Sequence, residues 1–234
     1  MLNRHKWVNI AYICREKHND MSNTKIIILD FDGTLGDTTA VIIKTMQGTI
    51  QELGLPARTE QECAAMIGLR LIEVPAQLFP ECNLDPNLYA LTYRRLFNEY
   101  NVEGAVELYP NVVETLTALK ERGLVLTIAS SRSNASLNAY IENLGLSHII
   151  TYVLGGNDVQ EGKPHPEAVN LTLRELGFQP EEAIVVGDTV FDIHMGRNAG
   201  TRTCGVTYGN GTRESLADAT WLIDDFADLL EKID

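Results

Sequence analysis

The chain has 234 residues, 44% of them hydrophobic, and a formal net charge of −13. That is enough apolar sequence for a buried core in one large domain or two small ones. The acidic balance excludes a broad nucleic-acid surface, which needs clustered Lys and Arg, and no stretch approaches the roughly 18 uninterrupted apolar residues of a membrane helix. A small anionic substrate stays allowed, because a bound cation and one or two local cationic side chains reverse the potential inside a cleft.

Residues 1–20 read differently from the rest: Arg4 and Lys6 precede a mixed segment, Trp7 to Cys14, followed by Arg15, Glu16 and Lys17. A signal peptide needs a cleaner apolar stretch and a small-residue cleavage site. The reading is an N-terminal extension without ordered structure, with a short amphipathic targeting segment as the other reading. Cys14, Cys63, Cys82 and Cys204 show no metal-ligand spacing and no CxxC pair. Buried or half-buried free thiols in a reducing compartment follow, hence a cytoplasmic protein.

In chain order, the first strand is Ile26 to Leu29. Helices fill the next interval, from about Asp37 to Val106. Ile42, Met46, Ile50 and Leu53 form one stripe ended by Gly54. Thr59 with Glu62 makes a capping box that opens a second helix. Asp85-Pro86 opens a third, with Tyr89, Tyr93, Leu96 and Tyr100 along one side, read as the core of a small bundle. After Gly104 to Pro110 the rhythm changes to strand and helix in alternation. Strands are expected at Val125–Ala129, Tyr152–Leu154, Ile184–Val186 and Arg202–Val206, with a weaker one at Trp221–Ile223. Between them, helical stripes stop at Gly123, Gly145 and Gly177, a helix C-terminal signal. Near-continuous apolar strands suit a parallel sheet covered on both faces. The result is an open α/β core with a helical domain inserted after its first strand: core at 21–36 and 107–234, insertion at 37–106, crossing points near Gly36 and Gly104 to Pro110.

Ligands of open parallel sheets gather beyond the carboxyl ends of the strands, so the residues that follow each apolar run carry the chemistry. They are Asp30-Phe31-Asp32-Gly33-Thr34-Leu35, Ser130-Ser131-Arg132, and Gly187-Asp188-Thr189 with Asp192 one turn later; Gly162-Lys163-Pro164 precedes the helix after the third strand. Several carboxylates crowded at one edge cannot stay ionised together without a cation. All-oxygen ligands with open positions point to Mg²⁺. Asp32 would project away from Asp30 on an ideal strand, but a turn at Gly33 can swing it back, and Gly33 lets its amide approach phosphoryl oxygens.

These segments resemble the four signatures of the haloacid dehalogenase superfamily, in order, over residues 25 to about 230. The helical insertion and the stretch Tyr208 to Glu214 with Leu222-Ile223-Asp224 are similar to its phosphoglycolate phosphatase-like and β-phosphoglucomutase-like members. The resemblance implies an α/β fold, a Rossmann-like open parallel sheet with an inserted α-helical cap domain. It implies Mg-dependent hydrolysis of a small phosphorylated metabolite, phosphoglycolate first. No nucleic-acid or membrane partner is expected from the composition, and the sequence leaves the oligomeric state open, monomer or homodimer. Asp30 would be the nucleophile and Asp32 the general acid and base. Mg²⁺ would be held by Asp30, the Asp32 carbonyl and Asp188, with Asp192 orienting a water or supporting Lys163. Ser130, Lys163 and Gly33, with Ser131, would bind phosphoryl oxygens.

Plainer readings stand beside these. Asp192 also suits an ordinary first-turn carboxylate, and Ser130 a helix N-cap. Arg132 reaches either a substrate anion or a surface carboxylate. Arg70 lies in a segment that resembles the substrate-facing loop of relatives, many of which carry Pro there; a surface salt bridge is its alternative. His165 and His194 are not read as ligands. Two further activities compete, a β-phosphoglucomutase-like phosphomutase and a pyrophosphatase of the same superfamily. Mutases of this kind carry a His shortly after the first signature, and Asp37 to Ile42 has none. Dehalogenation needs no acid at Asp32, and a non-enzymatic binding module has no use for the full carboxylate set.

Overall fold

The computed structural model describes residues 24–102 and 104–233. The expected N-terminal extension, 1–20, lies outside the described residues. Six parallel strands form the main sheet: β1 (Ile26–Leu29), β4 (Val125–Ala129), β5 (Tyr152–Leu154), β6 (Ala183–Gly187), β7 (Arg202–Val206) and β8 (Trp221–Ile223), in the order β5-β4-β1-β6-β7-β8. β1 lies at the centre because every one of its residues is buried and both of its edges are paired. Ile26 to Leu29 align with Val125 to Ile128 on one side and Ala183 to Val186 on the other.

Alternate side chains of β1 feed two separate cores, as the period of a strand dictates. Ile26 and Ile28 pack with Val169 and Leu173 of α7 (Glu167–Leu176) and Met195 of α8 (Val190–Asn198). Ile27 and Leu29 pack with Leu116 and Leu119 of α5 (Val112–Glu121) and Ile141 of α6 (Asn134–Asn143). Full burial of each such side chain is worth about 1.5–3 kcal/mol. A short α9 (Leu229–Lys232) closes the chain, with Leu229 in the same core. The chain runs outward from β1 through β4 to β5, then crosses back to β6, so the strand order reverses next to β1. That switch point is where a crevice opens.

Among the described residues, four helices stand between the first strand and Glu107: α1 (Thr39–Glu52), α2 (Glu60–Ala64), α3 (Val74–Leu78) and α4 (Pro86–Tyr100). Thr59 and Glu62 form the expected capping box, and the Asp85 carboxylate accepts from the Asn87 amide at the start of α4. The sequence pattern indicates three helices in this interval; α3 is only five residues, too short for a helical period, with Pro75 in its first turn. A two-residue ribbon of β2 (Gly36–Asp37) and β3 (Glu107–Leu108), antiparallel, ties the two crossing strands of the insertion together. The aromatic stripe on α4 divides. Tyr89 is fully buried against Phe79, with ring centroids 6.5 Å apart. Tyr93 stacks on Phe97, and the Phe97 ring turns toward the sheet, where the Arg132 guanidinium sits 4.9 Å from its centroid.

Candidate active site

Asp30 follows β1 directly, and its amide donates to the Val186 carbonyl at 2.9 Å, which extends the sheet by one bond. The chain then reverses. The amides of Leu35 and Gly36 both donate to the Phe31 carbonyl, and the Gly33 amide donates to the Gly36 carbonyl. Gly33 holds φ at +84°, and a Cβ there would lie 2.2 Å from Asp188 Oδ2, so the turn requires glycine twice over. The reversal brings Asp32 back toward the crevice, where its carboxylate accepts from Arg132 Nη2 at 2.6 Å and Nε at 3.1 Å. Arg132 therefore meets a carboxylate of the crevice, not one on the surface. Its guanidinium lies between the rings of Phe97, from the insertion, and Tyr140, from α6.

Lys163 is buried and bridges two carboxylates, donating to Asp30 Oδ1 at 2.6 Å and Asp192 Oδ1 at 2.5 Å. Asp192 is fully buried, unlike an ordinary first-turn surface carboxylate. Its other oxygen accepts from the Thr189 amide and hydroxyl, so the start of α8 and the lysine share one side chain. Asp188, at the end of β6, accepts at Oδ2 from the Asn210 amide (2.7 Å) and side chain (2.8 Å) and at Oδ1 from the Thr34 hydroxyl (3.2 Å). Carboxylate oxygens of Asp30, Asp188 and Asp192 lie within 4.8 Å of one another. The Asp32 carboxylate stands apart from that trio, on Arg132.

Ser130 is buried and its amide donates to the Leu154 carbonyl. It does not cap α6: Ser133 does, accepting from the Ser136 amide. Ser131 Oγ donates to the Gly68 carbonyl at 2.5 Å, and Arg70 Nη1 to the Gln160 carbonyl at 2.6 Å. These two bonds join the insertion to the loops beyond β4 and β5. The rest of the Arg70 guanidinium is held by Glu73. Arg70, Ser130, Ser131, Gly156, Gly162 and Lys163 line a cleft that opens to solvent.

Residues 27–206 match the family model described as haloacid dehalogenase-like hydrolase. This chain belongs to that family. It is 31% identical over 220 residues to a phosphoglycolate phosphatase of Haemophilus influenzae, covering 88% of this chain and 96% of that one. It is 32% identical over 195 residues to the pyrophosphatase PpaX of Bacillus pumilus, covering 83% and 88%. A solved haloacid dehalogenase-like hydrolase from Bacteroides fragilis superposes with a TM-score of 0.83 at 25% identity, over 88% of this chain and 99% of the other.

The donor set of this hydrolase fits a divalent cation. Three buried carboxylates face one lysine, which leaves the cluster two positive charges short if all are ionised. Burial first, then Asp192, pushes the Asp188 carboxyl up to about 7 against the opposing hydrogen bonds of Asn210. Burial also holds Asp30 well above its ordinary value, with Lys163 opposing and Asp192 and Asp188 adding to the rise. Burial disfavours the Lys163 ammonium, yet Asp192 and Asp30 raise it above its ordinary value. Hard, all-oxygen ligands suit a hard cation such as Mg²⁺, Ca²⁺ or Mn²⁺ over softer metals.

A stability trend follows. The folded pKa of Asp188 lies above the unfolded value near 3.9, so the folded state holds that proton more tightly. Without metal, the protein is expected to gain stability as pH falls from about 7 toward about 4, by up to about 1.4 kcal/mol per pH unit per group, and to lose it as pH rises through 7. Excess Mg²⁺ is expected to flatten the trend. Thermal melts in chelator and in Mg²⁺ across that range measure it, and a chelator curve that rises with pH would contradict it.

Asn210 and Thr34 escape a reading of the sequence. A signal for Asn210 exists: β7 ends at the same sheet edge as β6, and reading past its last residue leads to Tyr208-Gly209-Asn210-Gly211. Thr34 gives none beyond its place in the first turn.

Proposed function

We propose that this haloacid dehalogenase-like phosphatase hydrolyses a small phosphorylated metabolite by passing the phosphoryl group to Asp30 and then to water, with phosphoglycolate as the favoured substrate. The observation that carries this reading is the buried Lys163 ammonium held between Asp30 and Asp192 beside Asp188. A carboxylate so placed has a cation that screens its approach to an anionic phosphorus.

Asp30 attacks phosphorus as the bond to the leaving oxygen breaks. Asp32, released from Arg132 and protonated from solvent, gives that proton to the leaving oxygen. A water then attacks the phosphorus of the aspartyl-phosphate, Asp32 takes the water's proton, and the Asp30 carboxylate is regenerated. Ser130 and Lys163 hold the transferring oxygens; the Gly33 amide, expected from the sequence to join them, is committed to the Gly36 carbonyl. Asp30 and Asp188, with the Asp32 carbonyl, would hold Mg²⁺, and Asp192 would act through Lys163. When bound, the ion supplies the charge neutralisation an anionic nucleophile needs against an anionic substrate. Phosphate monoesters react so slowly that the site has up to about 28 kcal/mol to supply. Acid catalysis gives about 3–5 of that and positioning about 7–11, so most of the remainder falls to charge stabilisation.

Residues 37–106 act as a cap that excludes water during transfer, with Arg70 and Ser131 at its edge beside the leaving group. Pyrophosphate is the second reading, favoured by the similarity to a pyrophosphatase. A panel of phospho-acids, sugar phosphates, nucleotides and pyrophosphate, assayed with Mg²⁺, decides between them. Small phospho-acids are expected to turn over fastest and nucleotides slowest. Inactivity of folded protein toward the whole panel would remove the enzymatic reading.

A further inference from the structure

The geometry points to Asn210 as a positioning residue that couples the Asp188 carboxylate to the helical insertion through a single side-chain amide. The loop after β7 is already anchored by its backbone: the Gly211 amide donates to the Asp188 carbonyl at 2.9 Å and the Asn210 amide to Asp188 Oδ2 at 2.7 Å. Tyr208 adds its hydroxyl, which donates to the Thr34 carbonyl at 2.8 Å. The Asn210 side chain is thus not needed to hold the loop, and both of its ends are committed elsewhere. Nδ2 donates to Asp188 Oδ2 at 2.8 Å, while Oδ1 accepts from the Thr39 hydroxyl at 3.0 Å. Thr39 is the first residue of α1, where the insertion begins.

A carboxamide donates at one end and accepts at the other in one rigid plane. Rotation that serves one partner abandons the other. The loop is also built for close approach: at Gly209 a Cβ would lie 2.4 Å from the Asp188 Cβ. A movement of α1 that withdraws Thr39 therefore frees the amide and loosens the orientation of Asp188. By linkage, a cation gripped by Asp188 favours the Thr39 contact in equal measure. The coupling rests on the reading of Asp188 as a metal ligand, and it adds a route by which insertion position and metal affinity report on each other.

The test is Mg²⁺ titration calorimetry on the full chain without substrate. Asn210→Ala is expected to weaken Mg²⁺ binding by about 10–100-fold, the usual effect of removing a partner behind a metal ligand. Thr39→Val, which leaves every contact to Asp188 in place, is expected to weaken it about 5-fold, and Thr39→Ser to retain parental affinity. In the Asn210→Ala background Thr39→Val is expected to have no further effect, because its route is gone. Unchanged affinity in Thr39→Val, or the same loss with and without Asn210, overturns the coupling. If Asn210→Ala does not fold, the two Thr39 variants decide the question by themselves. Parent protein that binds no Mg²⁺ overturns the metal reading instead, and the coupling with it.

Discussion

Asp30→Asn is expected to fold, to keep its contact with Lys163, and to lose turnover by about 10⁴-fold or more, the scale on which removal of a covalent nucleophile registers. The substitution is nearly isosteric. An amide oxygen still accepts from Lys163 Nζ, now 2.6 Å from Asp30 Oδ1, but it has no charge with which to attack phosphorus. The stability effect runs the other way. Asp30 is buried and its carboxyl is held well above its ordinary value by burial and by the neighbouring Asp192 and Asp188. Removing that charge relieves repulsion in the metal-free protein, so its melting temperature at neutral pH is expected to match or exceed the parent's. Steady-state assay on the best substrate of the panel, with melts in chelator, reads both. Turnover within about tenfold of the parent would take the nucleophile role from Asp30.

The parts of the molecule that are legible in the sequence are those set by local pattern. An apolar run such as Ile26 to Leu29 has one good use, a strand buried on both faces, and the residue after it must fall at the carboxyl edge of the sheet. Reading Asp30, Ser130 and Asp188 from such positions requires no knowledge of partners. What escapes depends on which distant side chains meet. Asp32 and Arg132 are 100 positions apart, and their pairing follows from the tight turn at Gly33 and from the two rings that flank the guanidinium. Phe97 does not stand out in the sequence because the stripe on α4 reads as one face, whereas the helix presents one side to the insertion's core and another to Arg132. Arg70 cannot be placed from sequence because its choice between a substrate anion and Glu73 is made by the fold of the loop around Gly68. The two-residue strands β2 and β3 carry too few residues for any period.

Lys163→Met is expected to separate the two duties of the buried cluster. Lysine is the sole cation in contact with Asp30 and Asp192 among the described residues, and both it and its partners are almost wholly inaccessible, with side-chain exposure of 4% or less. Methionine fills most of the volume but leaves two buried carboxylates without a counter-charge. Breaking a buried pair from one side costs about 3–5 kcal/mol, a large part of the stability of an ordinary domain. Turnover is expected to fall by about 10²–10³-fold from loss of charge stabilisation at the phosphoryl group. A second substitution distinguishes damage to the fold from damage to the chemistry. In Lys163→Met/Asp192→Asn one surplus charge is gone, while the new side-chain amide oxygen can still accept from Thr189 as Asp192 Oδ2 does now. Stability is then expected to recover by more than half and turnover not at all, because the phosphoryl cation is still missing. Denaturant melts and steady-state rates on the four proteins of the cycle supply the comparison. Recovery of turnover along with stability would mean that Lys163 serves the fold alone, and that the phosphoryl oxygens are held without it.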